Sequence, residues 1–277
     1  MSQADRGRAF RRLHERPGCF VIPNPWDVGT ARLLASLGFE ALATTSAGLA
    51  FSLGRPDAEG ALTRDDVLAN ARAIVGATGL PVSADLEKGF SEHPEGVAET
   101  IRLAAEAGLV GGSIEDASGS RDEPIYQFGT AVERVAAAAE AARAVPHPFV
   151  LTARAENFLH GRPDLADTIR RLQAFQEAGA DVLYAPGLKT REEIETVVRS
   201  VDRPVNVVMG LRGVTLTVPE LAAIGVKRVS VGSALSRAAM GAFLRAAREI
   251  KEQGSFAFAA EAVPFETLNA LFKGRSS

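Results

Sequence analysis

Short apolar runs alternate with longer stretches of helical period along the whole chain. The runs CFVIPN (19–24), ALATTS (41–46), PVSADLE (81–87), GGSIEDA (111–117), FVLTARAE (149–156), DVLYAPG (181–187), PVNVVMG (204–210) and KRVSVGS (227–233) read as eight buried strands. They are nearly continuous in apolar residues and bounded by glycine, proline or polar clusters. Between them, segments such as DVGTARLLASLG, TRDDVLANARAIVGATG, PEGVAETIRLAAEAG and LADTIRRLQAFQEAG place apolar residues three and four apart, the spacing of a helix face. A weak internal repeat supports the reading. ASLGFEALATTS, AEAGLVGGSIED, QEAGADVLYAPG and AAIGVKRVSVGS each run from helix through glycine to strand, with Gly38, Gly108, Gly179 and Gly225 at the helix end. Eight such units with short crossovers predict a (β/α)8 TIM barrel. A doubly wound open sheet is the alternative, and no G-x-G-x-x-G follows the first run.

At 277 residues and 46% hydrophobic content, one barrel of about 250 residues accounts for nearly the whole chain. The expected division is a barrel over 1–254 and a C-terminal helical extension over 255–277. In that region LSRAAMGAFLRAAREIKEQG and SFAFAAEAVPFETLNALFKG read as two helices, the second rich in phenylalanine. The formal net charge of −3 and the scattered basic residues leave no footprint for nucleic acid. No apolar run approaches the roughly 20 residues of a membrane span, and MSQADRGRAFRRLHERPG has no apolar signal core, so a cytoplasmic protein is expected. A single cysteine, Cys19, excludes an internal disulfide and a multi-cysteine zinc site.

Charge at the ends of the apolar runs carries the chemistry. Asp85 and Glu87, Glu115 and Asp116, and Arg154 and Glu156 fall where barrel strands deliver their active-site residues. Asp85 and Glu87 stand two apart, which on a strand points both to one face. Asp57 lies in what reads as a long loop, GLAFSLGRPDAEGALT. Buried carboxylates must meet a cation, one another or a ligand. A set of hard oxygens suits Mg²⁺, or Mn²⁺, rather than zinc. His14, His93, His147 and His160 are dispersed, Asp27 reads as a helix cap, and Cys19 reads as a small buried hydrophobe. Ser230 and Gly232 in VSVGS form a weak phosphate-nest signal, with Arg228 expected to face outward or pair structurally.

NPWD, TTSAGLAFSLGRPD, PVSADLEKGF, SIEDA, ARAEN and EAGAD, in that order from about Val21 to the last helix, resemble the isocitrate lyase and phosphoenolpyruvate mutase superfamily, in particular its 2-methylisocitrate lyase-like members. The resemblance implies a Mg²⁺-dependent barrel acting on a small 2-oxo or 2-hydroxy carboxylate through an enolate-like species. It implies Asp85 as the most direct metal ligand, with Glu87, Glu115 and Asp57 acting mainly through metal-bound water. It further implies Arg154 and Glu115 as catalytic groups, with Arg154 forking the substrate carboxylate. Thr45, Ser46 and Ala47 would hold that carboxylate from the other side, and Asn206 would stand near the strand-seven asparagine of the lyases. A helix beyond the barrel that swaps onto a partner, giving a homodimer or homotetramer, is also implied. The chain departs from the family in two places. The loop after strand four, ASGSRDEPIYQFG, lacks the lyase cysteine and the mutase lysine and asparagine, leaving Ser118, Ser120, Arg121, Asp122 and Tyr126 as its proton-transfer candidates. The strand-six site of the family is Pro186. Three functions stay open: a carbon–carbon lyase of isocitrate, methylisocitrate or oxaloacetate type; phosphorus–carbon chemistry; and a 2-oxo acid binding protein with little turnover.

Overall fold

The computed structural model describes residues 1–57 and 60–273; the last four residues of the expected extension lie outside them. Eight parallel strands, β1 (Phe20–Ile22), β2 (Leu42–Ala43), β3 (Val82–Asp85), β4 (Gly111–Glu115), β5 (Val150–Arg154), β6 (Val182–Tyr184), β7 (Val205–Val208) and β8 (Arg228–Ser230), form one sheet. Its order is β1-β8-β7-β6-β5-β4-β3-β2. The remaining seam, between β1 and β2, is bridged by the Ala43 amide donating to the Pro23 carbonyl at 3.1 Å and by Asn24 Nδ2 donating to the Thr44 carbonyl at 2.9 Å. The fold is a (β/α)8 barrel, and each strand lies inside its predicted run. The ladders are shorter than the runs because the polar ends turn out of the sheet to form the site.

The helices are α1 (Gln3–Glu15), α2 (Val28–Ser36), α3 (Ser46–Ser52), α4 (Arg64–Ala77), α5 (Pro94–Glu106), α6 (Phe128–Ala144), α7 (Leu165–Ala178), α8 (Arg191–Arg199), α9 (Val218–Ala223), α10 (Ala234–Gln253) and α11 (Phe265–Phe272). Asp27 caps α2 and Thr63 caps α4, each answered by a side chain three residues on. The four repeat glycines have φ of +84° (Gly38), +91° (Gly108), +109° (Gly179) and +90° (Gly225), the left-handed backbone that only glycine adopts without strain. The segment after β2, expected to be loop throughout, begins instead as α3: Thr45 caps it by accepting from the Gly48 amide. The phenylalanine-rich tail is not one helix. Glu249 accepts from the amides of Ala257 and Phe258, holding a 3₁₀ turn at Ala257–Glu261, and Pro264 disfavours helix at Val263 before α11 begins.

Helix α1, which has no counterpart in the sequence reading, closes the N-terminal end of the barrel, where Phe10 and Leu13 pack with Phe20, Ile22, Val110, Val150 and Val182. Its signal was a capping box at Ser2 and Asp5 followed by apolar residues at helical spacing. Arg228, expected to face outward or pair structurally, does the latter: it points into the barrel and is 5% exposed. Its Nε donates to Asn206 Oδ1 at 2.8 Å and its Nη2 to Thr152 Oγ1 at 2.9 Å, while Nη1 meets His14 Nε2 at 3.3 Å. Cys19 is half-buried against the apolar core.

Burial, followed by the Arg228 charge, lowers the His14 pKa from 6.5 to about 3. Folded His14 therefore stays neutral where the unfolded chain takes up a proton, so the fold loses stability as pH falls from 6.5 towards 3, by up to about 1.4 kcal/mol per unit. His14→Gln should flatten that part of the stability profile, as measured by denaturant unfolding at pH 7, 5 and 4. An unchanged slope would place the sensitivity elsewhere.

Candidate active site

Register between β3, β4 and β5 assembles the site: Asp85 lies opposite Ser113, and Glu115 opposite Arg154. Arg154 Nη1 donates to Asp85 Oδ1 at 2.9 Å and stands 3.1 Å from Glu115 Oε2, while its Nε donates to Glu156 Oε1 at 2.8 Å. Nη2 is the nitrogen of this guanidinium left with no acid partner in these pairs. The Asp85 carboxylate is fixed from its other side, where Oδ2 accepts from the Ser46 amide at 3.1 Å and the Ser46 hydroxyl at 2.8 Å. One level further out, Asp116 Oδ1 accepts from the Glu156 amide at 2.8 Å and Oδ2 from Arg171 Nη1 at 3.0 Å. That buried pair ties the end of β4 to α7.

Glu87 reaches the site by a different route from the strand alternation expected. The ladder of β3 ends at Asp85, Leu86 turns into the core, and Glu87 has φ of +50°. A left-handed glutamate is strained by roughly 1–2 kcal/mol. The bend is held by the Glu87 carbonyl, which accepts from the Glu115 amide at 3.0 Å. It places Glu87 beside Glu115, Asp57 and Arg154 along a groove that Arg121 and His160 also border.

A cavity of about 280 Å³ opens below this groove. Its wall includes Thr45, Ser46, Ala47, Asp57, Asp85, Arg154 and Asn206, and it descends to Tyr184, Ser230 and Arg228. All the candidate metal, carboxylate-binding and catalytic residues thus border the cavity or its groove, whereas of the loop candidates Ser118, Asp122 and Tyr126 do not. Two expectations change in detail. The Ser46 amide is already given to Asp85, and Arg154 gives Nε and Nη1 to carboxylates, so a two-pronged grip on a substrate through those atoms is not what the guanidinium offers here. Among the loop candidates, Ser120 and Arg121 border the groove, whereas Tyr126 donates to Glu92 Oε2 at 2.6 Å, away from it. Tyr184 was not singled out from the sequence, although its place two residues before Pro186 on an inward-facing strand position marked it.

The electrostatics are unbalanced towards acid. Burial raises the pKa of Glu115 well above the ordinary range; Arg154 opposes the shift and the charges of Glu156, Asp85 and Glu87 add to it. Burial likewise raises Glu156, and burial and then the Asp85 charge raise Asp57. Burial works against the Arg154 cation, yet Glu156, Glu115 and Asp85 outweigh it and hold its pKa above the usual arginine value. Among the described residues no three acidic, histidine or cysteine side chains converge as a ready-made metal cage. A few carboxylates with room for water between them make a donor set that suits Mg²⁺, because that ion dehydrates reluctantly. Asp85, Glu87, Glu115 and Asp57, which border the cavity or its groove, are the residues that would hold such an ion.

Residues 10–251 match the family model described as phosphoenolpyruvate phosphomutase. A crystal structure described as a lyase/mutase from Burkholderia cenocepacia is 63% identical, with a TM-score of 0.96 over 98% of this chain and 97% of that one. The 2,3-dimethylmalate lyase of Eubacterium barkeri is 30% identical over 225 residues, 78% of this chain and 76% of the relative. A phosphonopyruvate hydrolase solved with oxalate and Mg²⁺ is 26% identical, with a TM-score of 0.86 over 98% of this chain and 95% of that one. With its barrel, its strand-end acids and its partly buried arginine in place, the chain belongs to the phosphoenolpyruvate phosphomutase family and is an enzyme of the phosphoenolpyruvate mutase/isocitrate lyase superfamily.

Proposed function

We propose that this enzyme binds Mg²⁺ and a small 2-oxo or 2-hydroxy carboxylate and cleaves a carbon–carbon bond through an enolate-like intermediate. The observation that carries the reading is the partly buried Arg154 held among Asp85, Glu115 and Glu156 at the mouth of the cavity. Mg²⁺, when bound, supplies a Lewis acid for oxygen charge that develops on the substrate. Asp85 is the residue to hold it, oriented by Ser46; Arg154 keeps the acids apart and offers Nη2 and its charge to a carboxylate; Glu115, 3.1 Å from Arg154 Nη1, is the acid placed to exchange a proton with the substrate. The family likeness to a lyase of 2,3-dimethylmalate supports this class of substrate.

Phosphorus–carbon chemistry is the second reading, supported by the likeness to a phosphonopyruvate hydrolase. The loop at 117–129 lacks the mutase lysine and asparagine as well as the lyase cysteine, and Pro186 departs from both classes, so the likeness to the lyases is what supports putting the carbon–carbon reading first. Purified protein with Mg²⁺ should release glyoxylate from isocitrate, pyruvate from methylisocitrate, or oxalate and acetate from oxaloacetate and water. Phosphate release from phosphonopyruvate alone would move the assignment to the second reading, and binding without turnover of any of the four would reduce it to a 2-oxo acid binding protein.

Asp85→Ala should weaken Mg²⁺ binding beyond calorimetric detection, while an unchanged affinity would mean the ion sits elsewhere.

We also propose that the chain assembles through its C-terminal helices. Along α10 only Ser236 is buried, and Phe243 (72%) and Phe265 (78%) stand open to solvent, an apolar surface that a lone protomer rarely presents. The full chain should run as a dimer or tetramer by light scattering, and a chain ending at Gly254 as a monomer or aggregate. A monomeric full chain at micromolar concentration would rule the assembly out.

A further inference from the structure

The cavity has two unlike sides, and the order of strands around the barrel separates them. Asp85 ends β3 and Arg154 ends β5; with Thr45, Ser46 and Asp57 from the segment after β2 they make one side polar. Across from them, Pro186 follows β6, Val208 ends β7, Leu211 follows it and Val231 follows β8. These side chains offer no hydrogen bond. Among the described residues, no charged side chain from β6, β7, β8 or the turns after them lines the cavity except Arg228 at its foot.

The backbone donors on this side are taken as well. The Val231 and Gly232 amides both donate to Asn24 Oδ1, at 2.9 and 3.0 Å, and the Met209 amide donates to the Ser230 carbonyl at 2.8 Å. Lower down, Asn206 gives Nδ2 to Ser230 Oγ at 3.0 Å and its Oδ1 accepts from Arg228. The hydroxyls of Tyr184 and, at the rim, Ser233 are the further polar groups here, and neither carries charge. Leu159 extends the apolar side to the mouth. A Cβ on Gly187, the residue after Pro186, would lie 3.1 Å from Leu159 Cδ2, so this leucine from the loop after β5 rests over the turn after β6. It is nevertheless 53% exposed, an apolar surface that a ligand entering the cavity can cover.

A carboxylate laid against this side gives up water with no cation or free backbone donor to replace it, whereas an alkyl group takes apolar surface out of water. We propose that the substituent of the bound acid that faces β6, β7 and β8 is alkyl rather than a further carboxylate, and that Leu159, Pro186, Val208 and Leu211 select it. This rests on the 2-oxo acid reading given above and narrows its substrate class to acids with an aliphatic substituent.

Calorimetric titration of 2-oxo acids into the full chain, with Mg²⁺ in excess, reads the preference directly. Affinity should rise about threefold to fourfold per added methylene along pyruvate, 2-oxobutanoate and 2-oxopentanoate. 5-Methyl-2-oxohexanoate and 2-oxoglutarate share one oxo-acid head and differ in an isopropyl group against a carboxylate of similar shape. The alkyl acid should bind at least about tenfold tighter. Val208→Asn places a donor in the wall, and Leu159→Ser removes apolar surface at an exposed loop position that the fold tolerates. Each should cut the ratio of the two affinities by at least about threefold. A flat series from pyruvate to 2-oxopentanoate, or tighter binding of 2-oxoglutarate, overturns the alkyl class; the latter would mean that a second carboxylate reaches Arg228. A ratio unchanged in both variants overturns the assignment to this wall. A protein that ignores pyruvate in the presence of Mg²⁺ overturns the 2-oxo acid reading itself, and this inference with it.

Discussion

A single partly buried guanidinium sets the terms for the rest of the site. Arg154 sits where β5 leaves the barrel, and three carboxylates from the ends of β3, β4 and β5 converge on it. Removing any of these charges from water costs several kcal/mol unless a partner is in place, so the arginine and the acids are each tolerable only because of the others. Their mutual position depends on strand register, since a slip of one residue would send Arg154 or Glu115 into the helix layer. The outer pair of Asp116 and Arg171 then holds the backbone at Glu156, and Ser46 holds the second oxygen of Asp85. One arginine against several acids leaves an excess of negative charge, and that excess is the physical argument for a divalent cation.

The same barrel carries a second arginine, this one fully buried, under opposite conditions. Arg228 has neutral acceptors where Arg154 has carboxylates, and burial lowers its pKa to about 10. The interior is thus polarised, acidic at the mouth and positive at the foot. A small anion bridging the two ends experiences both fields, and a metal ion at the mouth completes the first without touching the second.

Much of this was legible in the sequence, for definite reasons. Eight strands announced themselves because both faces of a parallel barrel strand are covered and the runs are nearly all apolar. Asp85, Glu115 and Arg154 were visible as charge at the ends of such runs, and the glycines before β2, β4, β6 and β8 marked helix ends through their left-handed backbone. What stayed hidden depended on contacts across the barrel. Arg228 reads as either a surface residue or a structural pair, and only Thr152, Asn206 and His14 around it, three residues far apart in the chain, decide for the second. Glu87 was assigned to the right place by alternation but arrives there through a left-handed bend after the strand has ended. Helix α3 was concealed because its seven residues are too few to display a period.

The central claim is that the acids around Arg154 hold a divalent ion which the 2-oxo acid shares. Titration of pyruvate into the protein with and without Mg²⁺ addresses it most directly, because pyruvate is small enough to enter the cavity and carries the oxygens that the ion and Arg154 would share. The account predicts clear binding with Mg²⁺ and at least a tenfold loss without it. Equal affinity under the two conditions would contradict it.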